Sequence, residues 1–183
     1  MISGPSGVGK GTVVRGLLEA RDDLALSVSA TTRAPRPGEI DGVHYRFLTG
    51  DAFERLAEAG AFLEHAQVFG SRYGTLLADV EAARETGRVV LLEIDVQGAR
   101  VVRERVPEAV LVFLQPPSPE ELERRLHARG TETGEALERR LVAARREMGE
   151  SSWFDHVVVN DEISEAVGEV LAIIEAHTEG ATS

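Results

Sequence analysis

The chain has 183 residues, 43% of them hydrophobic and 28% charged, with no cysteine. That suits one folded domain with room for a small inserted lobe, and it excludes disorder, a disulfide framework, a thiolate metal site and a cysteine nucleophile. The formal charge of −11 argues against broad binding to nucleic acid or anionic membrane, so an anionic ligand has to be held by a local basic cluster. No apolar run approaches the roughly 18 residues that span a bilayer. MISGPSGVGK carries neither the basic nor the apolar region of a signal peptide, and a cytoplasmic location is expected.

In chain order, Ile2 and Ser3 end a very short strand, and Gly11 to Arg21 follows a glycine-rich turn as a helix. Asp51 caps a second helix, with Glu54 at its third position and Gly60 at its end. Leu76 to Glu85 is helical, Val89 to Asp95 is a buried strand, and Gln97 to Arg105 is a further helix. Val110 to Leu114 is the next strand. Ser118, Pro119 and Glu121 open a helix that Gly130 closes, and Gly134 to Glu147 is helical and dense in charge. Val157 to Asn160 is a short strand, and Trp153-Phe154 before it is expected in the core. Ile163, Val167, Val170, Leu171 and Ile174 form one apolar stripe on the last helix. Short apolar runs alternating with helices predict an α/β fold with a parallel sheet flanked by helices. The polar stretch Ser29 to Tyr45 looks like part of an inserted substrate lobe, and Ala128 to Glu135 looks like a second, mobile element.

The chain has 19 arginines and one lysine, Lys10. A position that keeps an ammonium where arginine is used everywhere else is one that needs a compact, flexible point charge. Lys10 ends Gly4-Pro5-Ser6-Gly7-Val8-Gly9-Lys10, which fits the G-x-x-x-x-G-K core of a phosphate-binding loop. Its glycines let backbone N–H groups turn inward around phosphate, the following helix adds its positive end, and the lysine neutralises the β/γ phosphates. The residue after the lysine, normally a serine or threonine on Mg²⁺, is Gly11; the hydroxyl comes one place later, at Thr12. Only three residues precede Gly4, whereas such a loop hangs from a full strand, so the natural start is expected upstream.

Arg33 and Arg36 stand three apart in a proline-stiffened loop, a spacing suited to gripping one phosphate from two sides. Glu93 and Asp95, two apart on a predicted strand, are expected on one side of the sheet near its C-terminal edge, where ligands of open parallel sheets bind. The segment Ser27 to Phe47, SVSATTRAPRPGEIDGVHYRF, closely resembles the GMP-binding loop of guanylate kinases. The resemblance continues through Glu64, Gly70-Ser71-Arg72-Tyr73-Gly74-Thr75, Glu93-Ile94-Asp95-Val96-Gln97-Gly98 and Arg129-Gly130-Thr131-Glu132.

That resemblance implies an ATP:GMP phosphotransferase dependent on Mg²⁺, with a P-loop core at 1–28 and 76–183, a GMP-binding lobe at about 29–75 and a mobile lid at about 126–148. ATP is then held by Gly4 through Thr12, with Asn160 and Asp161 on the adenine side. GMP is held by Ser29, Arg33, Arg36, Tyr45, Glu64, Tyr73, Thr75 and Glu93. The resemblance gives Asp95 to Mg²⁺, through water, with Thr12 as a second candidate, and it gives the transition-state charge to Lys10, Arg33, Arg129 and Arg140. Glu64 is the guanine reader: a carboxylate can accept from guanine N1 and N2 together, while adenine leaves it unpaired. Structural readings compete with several of these roles. Tyr45 and Tyr73 also suit half-buried packing, and Arg139, Arg140, Arg145 and Arg146 share a helix with Glu135, Glu138 and Glu147 in a pattern typical of a solvated face. The five histidines read as packing or surface residues. Partners beyond ATP and GMP are not expected. The rival functions are a catalytically silent guanylate-kinase-like module that binds proteins, and another small-phosphate kinase with the same loop.

Overall fold

Apolar runs covered by amphipathic helices form parallel strands here, as their pattern requires. The computed structural model describes residues 1–128 and 134–179. Its elements are β1 (Ile2–Ser3), α1 (Lys10–Ala20), β2 (Leu24–Leu26), β3 (Ala30–Thr31), β4 (Arg46–Phe47), α2 (Gly50–Glu58), β5 (Phe62–Val68), β6 (Ser71–Leu76) and α3 (Leu77–Glu85). They continue with β7 (Val89–Leu91), α4 (Val96–Arg105), β8 (Val112–Gln115), α5 (Pro119–Ala128), α6 (Glu135–Met148), β9 (His156–Val159) and α7 (Ile163–Glu179). The chain divides into two units: Met1–Arg21, Ile94–Val96 and Val110–Ser183 form the first, Asp22–Glu93 and Gln97–Ala109 the second.

In the first unit β1, β8 and β9 are parallel, in the order β1-β8-β9, with Ile2 beside Val112 and Phe113 beside Val157. Ile2, Leu111, Phe113, Leu114 and Val158 are almost wholly buried, and α1 adds Val13, Val14 and Leu17. α7 closes on α1, where a Cβ at Gly16 would come within 2.8 Å of Val167 Cγ2. Of the apolar stripe expected on α7, Val170 is buried and Val167, Leu171 and Ile174 are half-buried, but Ile163, the first residue of the helix, is 46% exposed. Phe154 is buried as expected and rests against Phe113, ring centroids 5.0 Å apart.

The second unit holds a parallel pair, β2-β7, and a mixed sheet, β4-β3-β6-β5. Phe53 of α2 stacks on Phe62 of β5 at 4.5 Å and, with Ala30, Leu48, Leu56 and Leu76, fills the space over the mixed sheet. The cap of α2 is Thr49, whose hydroxyl accepts from Ala52 N–H, and not Asp51, which lies inside the first turn. Gly60 ends the helix as expected: at φ +66° it lets Gly60 N–H reach Ala57 O and Ala61 N–H reach Leu56 O. The apolar run Val89 to Asp95 is shorter as a strand than its composition suggests. β7 ends at Leu91, and Ile94 N–H turns instead to Ile2 O in the first unit. Glu93 and Asp95 therefore lie beyond the end of β7.

Candidate active site

In the first unit, the loop between β1 and α1 takes a path that its glycines make possible. Gly4 has φ +141°, and a Cβ there would stand 2.3 Å from the Leu114 carbonyl oxygen of β8. Gly9, at φ +101°, caps α1 and receives the N–H groups of Thr12 and Val13 on its carbonyl. The turn is tied by Val8 N–H to Pro5 O, and Val8 O accepts the Asn160 side-chain amide at 2.7 Å. Arg125 braces the same corner by donating to Asn160 O at 2.9 Å. Lys10 Nζ lies back over the loop, donating to Gly4 O at 2.7 Å and Pro5 O at 3.3 Å.

Two side chains of α6, seven residues apart and so on one face of the helix, meet this loop at Ser6. Arg140 is only 9% exposed and donates through Nη2 to Ser6 Oγ at 2.8 Å. Glu147 Oε2 accepts Ser6 N–H at 3.0 Å. Burial pushes the Glu147 carboxyl above the usual carboxylate range, and the charge of Asp95 adds to this, while the Ser6 N–H and Lys10 oppose it. Of the expected donor-site residues, the loop, Lys10, Asp95 and Arg140 thus gather in one unit. Asn160 is buried with its amide on Val8, and Asp161 is exposed after β9. Arg129 lies outside the described residues, as do Gly130, Thr131 and Glu132. Two contributors, Arg125 and Glu147, had no distinguishing signal in the sequence. Both sit in charge-rich helices where Glu121–Arg125 spacing and its like suggest a solvated surface.

In the second unit Glu64 is 4% exposed and Thr75 1%, and Glu64 Oε1 accepts the Thr75 hydroxyl at 2.7 Å. They face each other across β5 and β6. A dry carboxylate of this kind requires donors, because desolvation without hydrogen bonds is costly. Ser29, half-buried just before β3, accepts Arg46 N–H on its carbonyl.

The loop that follows β3 is organised by Arg33. Its guanidinium makes a two-pronged pair with Glu39 at 2.8 and 2.9 Å and lies 5.2 Å from the centre of the Tyr45 ring. Tyr45 packs edge-on to Tyr73 at 6.0 Å. Burial raises the Tyr45 hydroxyl above the ordinary tyrosine range, and the negative charge of Glu93 adds to it. Arg36, in contrast, is exposed, and its backbone N–H donates to Glu39 Oε2. The structure thus brings Arg33, Tyr45 and Tyr73 together, with Glu93 close enough to act on Tyr45, and the charge of Arg36 acts on Glu39. Glu39, the counter-charge to Arg33, was not marked out by the sequence; its six-residue spacing in a loop follows no helical or strand rule.

Set against known proteins, residues 1–177 match a family model described as guanylate kinase. The chain is 52% identical to the guanylate kinase of Sphingopyxis alaskensis, over 96% of this chain and 80% of that protein. It is 52% identical to the guanylate kinase of Mycobacterium sp., over 100% and 93%, and 49% identical to that of Prochlorococcus marinus, over 96% of each. The crystal structure of guanylate kinase from Anaplasma phagocytophilum superposes with a TM-score of 0.80 at 37% identity, covering 96% of this chain and 82% of that one.

Proposed function

The chain belongs to the guanylate kinase family, and from that membership we propose how its residues move the γ-phosphoryl group of ATP onto GMP, giving ADP and GDP. The loop Gly4 to Thr12 takes the ATP phosphates on backbone N–H groups, with Lys10 swinging from Gly4 and Pro5 onto the phosphoryl oxygens. Asn160 and Asp161 border the adenine. Glu64, Thr75 and Ser29 read guanine, and Arg33, Arg36, Tyr45 and Tyr73 take the acceptor phosphate, with Glu93 beside Tyr45. Arg140, already on Ser6, and Arg129 stabilise the charge spread over the transferred group. No protein nucleophile is required, since an acceptor phosphate oxygen attacks directly.

A Mg²⁺ ion held through nucleotide phosphates needs one or two protein carboxylates and keeps several waters. Asp95 fits that demand as one such carboxylate: its charge acts on Glu147, the side chain that accepts Ser6 N–H of the loop. Asp95 would hold the ion through water, Thr12, the residue after Gly11, would offer a hydroxyl, and the metal would neutralise charge on the phosphates. The reading includes a core at 1–28 and 76–183, a GMP lobe at about 29–75 and a lid at about 126–148. It also includes a cytoplasmic location and no obligate partner beyond the nucleotides. Among the described residues, no helix is long and apolar enough to cross a membrane.

The single observation that carries the acceptor assignment is the buried Glu64–Thr75 pair. Coupled ADP release with GMP, AMP, CMP and UMP tests it. GMP is expected to be the preferred acceptor by at least about 100-fold, as for a site that leaves a buried group unpaired with the wrong ligand. Equal rates with AMP and GMP would sink the guanine-reader assignment.

A further inference from the structure

β5 and β6 are antiparallel, and Phe62 stands opposite Leu76. In an unbroken ladder, two steps forward along β5 are two steps back along β6, so Glu64 would face Gly74. It faces Thr75 instead, because the register slips by one residue between Phe62 and Glu64. Leu63 is the extra residue of a bulge, a device that re-aims a side chain. Without it the buried carboxylate would lie opposite a glycine and the Thr75 hydroxyl opposite Leu63. The bulged strand also lies very close to its neighbour: a Cβ on Gly74 would be 2.8 Å from Phe62 Cδ1 and 3.0 Å from Glu64 O.

A bulge takes carbonyls out of the ladder, and these need another donor. The carbonyls of Phe62 and Leu63 accept from a single atom, Arg105 Nη1, at 2.9 and 2.8 Å. Arg105 is the last residue of α4 and belongs to the same unit. Its grip fixes two consecutive peptide groups, the second of which is bonded to the nitrogen of Glu64. We propose that Arg105 is a positioning residue for base recognition: it holds the bulge that sets Glu64 against Thr75. This rests on Glu64 as the guanine reader.

The test is a double-mutant cycle with Arg105→Ala, Glu64→Gln and both together, read as kcat and KM for GMP and AMP and KM for ATP. Arg105→Ala is expected to lower kcat/KM for GMP roughly tenfold, mainly through KM, as for loss of charge-assisted hydrogen bonds. AMP turnover and KM for ATP stay as they were, and Arg105→Lys recovers much of the loss. In the Glu64→Gln background, Arg105→Ala adds little further effect on GMP, since it acts through that carboxylate. An unchanged KM for GMP, an equal loss with GMP and AMP, or full additivity overturns the proposal. If Glu64→Gln is impaired and Arg105→Ala is not, Arg105 alone has been misjudged; if Glu64→Gln binds GMP normally, the reader assignment falls and the positioning role with it. Should Arg105→Ala not fold, Arg105→Gln carries the same expectations, with AMP turnover reporting that the fold is intact.

Discussion

The two regions proposed to hold the nucleotide phosphates are made of different materials. The phosphate loop of the first unit is backbone, seven consecutive residues bent by glycines at positive φ and anchored on one ammonium. The proposed acceptor region of the second unit is side chain: a guanidinium, two phenols and a buried carboxylate contributed by strands and a loop far apart in sequence. They share one feature. Each is already occupied by an acid of its own, Glu147 on Ser6 N–H and Glu39 on the fork of Arg33. Phosphate sites need donors whatever their source, and donors inside a protein pair with internal acceptors. A main-chain site is thus sensitive to backbone geometry, and a side-chain site to the register of the elements that carry it.

Lys10→Met separates the two most sharply. Turnover should fall about a thousandfold, in the range of losing one preorganised positive charge, while calorimetric GMP binding is retained. Normal turnover in that variant would remove the loop from the mechanism. Gly4→Ala is next. Its Cβ would run into Leu114 O and its φ is unsuited to alanine, so urea unfolding should show a loss of about 3 kcal/mol from strain and overpacking combined. A stability within about 0.5 kcal/mol of the parent would show that the loop can be rebuilt without the glycine. Glu64→Gln keeps an acceptor for Thr75 but loses charge and one acceptor for guanine. It should cost about 2 kcal/mol, roughly thirtyfold in kcat/KM for GMP, without moving KM for ATP. The smallest effects test the shared feature. If the internal acids compete with phosphate, Glu147→Gln lowers KM for ATP alone and Glu39→Gln lowers KM for GMP alone, each about threefold. A raised KM in either would identify that acid as a support of its loop instead.

The same contrast explains what could be read in advance. The loop was legible because Gly4 to Lys10 is contiguous, and backbone geometry is written directly into glycine positions. Most helices were legible from period and caps, with the errors at their ends: Thr49 and not Asp51 caps α2, since a hydroxyl one place before the first turn is the better-placed acceptor. The mixed sheet was largely missed. β3 and β4 are two residues each, and β5 carries Glu64, His65 and Gln67 among its apolar positions, so no alternation stands out. Glu64 was reached through family resemblance only, because nothing local distinguishes it from other acids until a bulge and a threonine bury it. Glu147 and Arg125 were unreadable for the opposite reason: a helix face that grips a loop looks like one that meets water.

Lys10 also has a chemical consequence. It is the only lysine in the sequence, and its amine rests on the carbonyls of Gly4 and Pro5. Acylating reagents that pass over arginine therefore find a single ε-amino group, seated on the loop proposed to take the ATP phosphates. Each acyl mark on a lysine of this chain is a mark on the phosphate loop, and shielding by ATP becomes a direct count of occupied sites.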